Sequence, residues 1–151
     1  MRNKTQNQTP DRALINQTKA LTNFLTTVDP SDVKLCLHDM FVAYIPTEWY
    51  SDEEPTRRHD IIFVYYTIVE FLSKLSYAPG ESKLKADDAL KALKELTDQI
   101  EPEQAKDILR IMFNTYITTD DYCDSMDIER FGNVFHINTT IDFFSEFELK
   151  N

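Results

Sequence analysis

The sequence predicts an all-α fold: a single-domain bundle of five or six helices with a buried central helix over about residues 57–76. Three observations lead there. Only two glycines, Gly80 and Gly132, occur in 151 residues, whereas all-β chains need many positive-φ turns that glycine supplies. Apolar residues recur at three- and four-residue intervals along most of the chain. The patterned stretches are punctuated by Asp29-Pro30, Pro46, Ala78-Pro79-Gly80 and Glu101-Pro102, which start or stop helices. A chain of this length can bury roughly 69% of its extended surface, so a core needs no disulfide or metal.

Residues 1–10 read as a polar, flexible N-terminal arm, and residues 11–151 as the helical domain. Asp11 suits an N-cap for a helix over about 12–28, with Leu14, Leu21, Phe24, Leu25 and Val28 on one stripe. Asp29 then caps and Pro30 opens a helix over about 30–45. Its two apolar stripes, one through Val33, Cys36, Met40 and Tyr44 and one through Leu35, Val42 and Ile45, predict burial on two sides. Residues 46–58 connect it to a helix over about 57–76, capped by Thr56 and apolar nearly all round from Ile61 to Leu75, as expected of a helix in the middle of a bundle. After the turn at 78–80, the helix over about 84–100 has a narrow stripe (Ala86, Leu90, Leu93, Leu96, Ile100) and belongs at the periphery. Pro102 opens another over about 102–118. Residues 119–127 read as an acidic loop whose Ser125 or Asp127 caps the next helix. From Ile128 to Leu149, Phe131, Phe135, Ile141, Phe144 and Phe147 suit a helix, while Gly132 and the β-branched run at 137–141 favour a break or a short strand. No repeat period or low-complexity segment is evident.

Charge narrows the function classes. Lys plus Arg number 16 against 26 Asp plus Glu, a net charge of −10. Residues 1–28 carry Arg2, Lys4, Arg12 and Lys19 against Asp11, so the remainder is more acidic still. Nucleic-acid binding draws its affinity from Lys and Arg on phosphates, so nucleic acid is not an expected partner, and an anionic membrane surface is disfavoured for the same reason. A basic protein would be attracted. Cys36 and Cys123 show no CxxC spacing, which fits a reduced, cytoplasmic setting. The opening residues have no apolar run of a secretory signal, and the Ile61–Leu75 run is too short to span a bilayer.

Three candidate sites carry chemistry. His38, His59 and Asp60, with a later Asp such as Asp107, Asp120 or Asp121, resemble the ligand set of metal-dependent phosphohydrolases of the HD type, which implies a divalent metal activating water. The same residues have a structural reading, with His38 in the core and Asp60 serving a helix N-terminus. The loop from Asp120 fails as an EF-hand, because its sixth position is Ser125 and its twelfth Phe131. Neither cysteine reads as a nucleophile: Cys36 lies on an inward face and Cys123 among acids. No GxSxG, Gly-rich phosphate loop or Rossmann fingerprint occurs, and no Glu-x-x-His pair.

The aromatic pattern is the most unusual feature. Trp49-Tyr50, beside Arg57 and Arg58, has the composition of a binding hot spot, with Trp49 folding back onto the bundle end as the structural alternative. The expected function is therefore a non-catalytic, acidic protein-binding module (an inhibitor, immunity-type protein or adaptor) that recognises a basic partner and needs no cofactor. Its expected contact residues are Trp49, Tyr50, Glu53 and Glu54, plus Asp120, Asp121 and Asp124. A variant of this reading has the carboxylates mimic nucleic-acid phosphates, and the stripe on helix 12–28 offers a homodimer contact. The alternative is the HD-type phosphohydrolase on His38, His59 and Asp60.

Overall fold

The computed structural model describes residues 2–76 and 86–146, with the side chains of 2–14 and of Ala86 outside the description. All of its regular structure is helical among those residues. In chain order the helices are α1 (Arg2–Thr27), α2 (Pro30–Tyr44), α3 (Glu48–Ser51), α4 (Pro55–Leu75), α5 (Ala86–Gln99), α6 (Pro102–Tyr116), α7 (Asp120–Cys123) and α8 (Asp127–Glu146). Six are long, and α3 and α7 are single turns within the stretches expected to be irregular. The expected turn at Ala78-Pro79-Gly80, Tyr77 and Phe147 lie outside the described residues. No helix among the described residues is long and apolar enough to cross a membrane.

Local chemistry places the starts. Asp29 accepts a hydrogen bond from the Ser31 amide at 2.9 Å with Pro30 at the first helical position, so one orphan donor is satisfied and the other never exists. Pro55 and Pro102 likewise stand at the first position of α4 and α6, where neither Glu54 nor Glu101 adds a side-chain cap. For α8 the cap comes from neither Ser125 nor Asp127: Glu129 reaches back to accept from the Met126 amide at 3.2 Å, one half of a capping box.

Four expectations need correction. α8 is continuous through Gly132 and the β-branched run, because Ile137, Thr140, Phe143 and Phe144 share one buried face; tertiary packing outweighs helix propensity there. The Leu35/Val42 stripe of α2 is not buried, with Leu35 62% and Val42 54% exposed, since α2 packs its other face on α4, α6 and α8. The stripe on α1 is not free for a dimer contact: Leu21, Phe24 and Val28 are in the core, and α1 packs on α8 and α5. α4 also keeps a solvent face, where Phe63 and Tyr66 are exposed.

The largest departure is an internal repeat. Shifting the chain by 72 residues brings α2 onto α6 and α3 onto α7 at both ends, α4 onto α8 at the start and α1 onto α5 at the end. Eighteen of the 56 positions from 19 to 74 then carry the same residue as their equivalents from 91 to 146. Among them are Lys19-Ala20-Leu21 and Lys91-Ala92-Leu93, Met40-Phe41 and Met112-Phe113, and Tyr44-Ile45 and Tyr116-Ile117. The packing is unchanged when the halves are exchanged: α2 lies on α4 as α6 on α8, α1 on α8 as α5 on α4, and α2 meets α6. Equivalent rings even touch, for Phe71 stacks on Phe143 with centroids 5.8 Å apart. The bundle is thus two copies of one helical unit related by an approximate twofold, each unit's first helix lying on the last helix of the other.

Candidate functional site

The twofold turns the two candidate segments, 46–58 and 119–127, into one element seen twice. In each, a threonine N-caps a single helical turn. Thr47 Oγ1 donates to the Tyr44 carbonyl at 2.7 Å and Thr119 Oγ1 to the Tyr116 carbonyl at 2.6 Å. The Tyr50 and Tyr122 amides each donate to that threonine oxygen at 3.4 Å. Tyr50 meets Tyr44 edge-on at 5.5 Å, and Tyr122 meets Tyr116 edge-on at 5.4 Å. Arg58 then donates to the Ser51 and Glu53 carbonyls, and Arg130 to those of Cys123 and Ser125. Each arginine satisfies carbonyls that the end of a one-turn helix leaves bare. Both arginines beside Trp49-Tyr50 have partners within the chain: Arg58 closes this turn, and Arg57 pairs with Asp107 at 2.6 Å.

Residues that differ between the halves line the clefts. Beside α3, Trp49 and Glu53 face Ile111, Asn114 and Thr115 of α6 and Thr118 just after it around a cleft of about 340 Å³. Its sister beside α7, of about 230 Å³, is lined by His38, Asp39, Val42, Tyr116, Asp121 and Ser125. The twofold places Asp121 where Trp49 stands and Asp39 where Ile111 stands. One cleft is an indole over an aliphatic wall, and the other is acidic.

The acidic cleft runs on past Asp39, Tyr116 and Ser125 into a further cavity of about 280 Å³, where Asp32, Leu35, Glu129 and His136 join the lining. At the equivalent place in the other half stands the Arg57–Asp107 ion pair. Leu35 and Glu129 hold those two positions beside the cavity and form no such pair.

Two buried tyrosines show how far the environments have diverged. Tyr116 Oη accepts a hydrogen bond from Asn133 Nδ2 at 3.1 Å. The equivalent of Asn133 is Ile61, and Tyr44 Oη, fully buried, has no partner among the described residues. Burial, with Glu53 adding to it, pushes the Tyr44 phenol up to about 12. Burial likewise pushes the Cys36 thiol up to about 12, with Asp39 adding to it, so Cys36 on the cleft wall stays protonated and unreactive.

Trp49 does not fold back onto the bundle, being 67% exposed. Tyr50 is half-buried against Tyr44 and belongs to the core's edge. Glu53 is half-buried and Glu54 exposed, and Asp120, Asp121 and Asp124 are exposed on or beside α7. The two sets flank different clefts. His38 is exposed on the acidic cleft, not in the core, while His59 is exposed as the fifth residue of α4, with Asp60 half-buried beside it and beyond the first turn that it was expected to serve. No group of three His, Cys, Asp or Glu side chains among the described residues is placed to hold a metal ion.

Sequence reasoning missed Leu35, Val42, Asp39, Glu129 and His136 as cleft residues. The available signal was the second apolar stripe of α2, which marks a cleft wall as readily as a second buried side. Compared with protein-family models, with curated proteins and with solved structures, the chain matches none.

Proposed function

We propose that the protein is a non-catalytic, intracellular acidic binding module whose partner is a basic protein, as for an inhibitor, an immunity-type protein or an adaptor. The observation that carries this reading is Trp49: a large ring, 67% exposed, beside a cleft of about 340 Å³ and among Glu48, Asp52, Glu53 and Glu54. Burying an indole in a partner's pocket is a typical anchor of protein interfaces. Carboxylates around it speed association with a basic surface and select against acidic ones. Asp120, Asp121 and Asp124 form the sister patch across the twofold.

The test is affinity capture from extracts of the source cells at low and at high salt, with wild type and Trp49→Ala. The reading expects a captured protein of basic pI whose retention falls with salt. Trp49→Ala should weaken capture at least tenfold, on the order of 2 kcal/mol for a hot-spot residue, with an unchanged thermal midpoint. Tyr50→Ala is unsuitable for this comparison, because its ring packs on Tyr44. Capture that is indifferent both to salt and to the loss of Trp49 overturns the reading.

A further inference from the structure

The outward face of α8 carries three large apolar side chains at helical spacing: Ile128 is 76%, Phe131 73% and Phe135 50% exposed. Met126, just before the helix, is 69% exposed, and Leu35 of α2 is 62% exposed on the cleft beside it. The sister helix shows that the fold does not require these residues. At the positions equivalent to Met126, Ile128 and Phe131, the first half has Glu54, Thr56 and His59, on a helix that packs in the same way. Only the third position is alike, with Phe63 opposite Phe135. Three large apolar groups, Met126, Ile128 and Phe131, thus stand in water where the same scaffold accepts polar ones. An exposed apolar face of this kind marks a contact with another chain.

The charges around the face select what covers it. Asp127 and Glu129 lie in the first turn of α8, Asp142 and Glu146 follow toward its end, and Asp32 stands across the cleft from Glu129. The one arginine of α8, Arg130, is engaged by Asp127 and by the Cys123 and Ser125 carbonyls. A second copy of the chain laid on this face would bring the same carboxylates against these. We infer that the face seats an amphipathic helix of a partner protein, its apolar side against Ile128, Phe131 and Phe135 and its flanking lysines or arginines toward Asp32, Asp127 and Glu129. Three anchors at i, i+3 and i+7 match what one helix presents to another. The inference rests on the reading of a basic partner and adds its shape and a second place where it docks.

The experiment uses the full chain and a fluorescein-labelled 18-residue synthetic helix of leucine and lysine with a single apolar face. A scrambled peptide of the same composition has the charge without the face. Fluorescence anisotropy should show the amphipathic peptide binding at least tenfold more tightly than the scrambled one. Ile128→Ser/Phe131→Ser should lose at least tenfold. Both substituted side chains are mostly exposed, so circular dichroism should be that of wild type; Phe131→Glu alone is the second variant and should lose a similar factor. Three outcomes overturn the inference: equal binding of both peptides, binding unaffected by the α8 variants, or a wild-type dimer that either α8 variant converts to monomer, which would make a second copy the occupant. Loss of binding in Trp49→Ala but not in the α8 variants would overturn it while leaving the Trp49 reading intact.

Discussion

The first half of the molecule (α1–α4) and the second (α5–α8) share their scaffold and differ in the surfaces that the scaffold presents. The shared residues are the ones that geometry demands. Pro30 and Pro102 open helices, Thr47 and Thr119 cap single turns, Arg58 and Arg130 close them, and Phe71 and Phe143 meet at the approximate twofold. Most residues around the clefts differ. Where one half has Trp49 and Ile111, the other has Asp121 and Asp39. Where one half pairs Arg57 with Asp107, the other has Glu129 and Leu35 on the lining of a cleft. A position that differs while its surroundings stay the same is released from folding, which makes the pairwise comparison a guide to function inside a single chain.

The largest expected effects lie where the halves meet. Phe71→Ala and Phe143→Ala should each cost about 3–5 kcal/mol, the usual range for removing a buried phenylalanine. Phe143→Ala should cost more, because Phe143 also packs on Phe24 with centroids at 5.0 Å and on Phe144 at 5.2 Å. Since the two rings stack, the double variant should fall short of the sum of the singles by about 0.5–1.5 kcal/mol. Urea unfolding of the four proteins gives this number directly, and strict additivity would mean that the rings do not act on each other.

A sharper test takes one substitution at two equivalent places and expects opposite signs. Tyr116→Phe removes the acceptor of the Asn133 amide and should destabilise by about 1 kcal/mol. Tyr44→Phe removes a buried hydroxyl that has no partner among the described residues, so it should be neutral or stabilising. The Tyr44 pair also sets a pH dependence. A phenol held near 12 in the folded state and near 10 when unfolded lends stability that is fully present below pH 10 and lost as pH climbs through 12. Tyr44→Phe should lessen that alkaline loss. Equal costs at both positions would show that the two environments have not diverged at their centres.

Much of the fold was legible because helices declare themselves locally. Proline and aspartate fixed the start of α2, proline that of α6, and the 3.6-residue spacing identified the inward faces of α2 and α6. The repeat was hidden for a physical reason. Its matches are scattered and short, none longer than the three residues of Lys19-Ala20-Leu21, and the most visible features of each half, Trp49 and the Asp120–Asp121 pair, sit where the halves differ. The clefts were illegible for another reason: an apolar stripe on α2 cannot say whether a neighbouring helix covers it. Only the placement of α7 and α8 leaves Leu35 and Val42 at the rim of an acidic cleft. The break expected in α8 came from weighing Gly132 and the run at 137–141 by propensity, when the buried row from Ile137 to Phe144 supplies the larger energy.

Gly132 gives the smallest expected effect. Glycine inside a helix costs roughly 0.5–1 kcal/mol relative to alanine, because the unfolded chain has more freedom to lose. Beyond its chain neighbours and the backbone of its own helix, no described atom lies within 4 Å of where a Cβ would stand on Gly132, and the equivalent residue in α4, Asp60, carries a side chain in a helix of the same packing. Gly132→Ala should therefore raise stability by about 0.5–1 kcal/mol, read as a higher urea midpoint with an unchanged slope. Because Gly132 lines the acidic cleft, the same methyl group narrows it. Greater stability joined to weaker partner capture would mean that the glycine is kept for the cleft; greater stability with capture unchanged would place the partner's contacts outward, on Ile128 and Phe131.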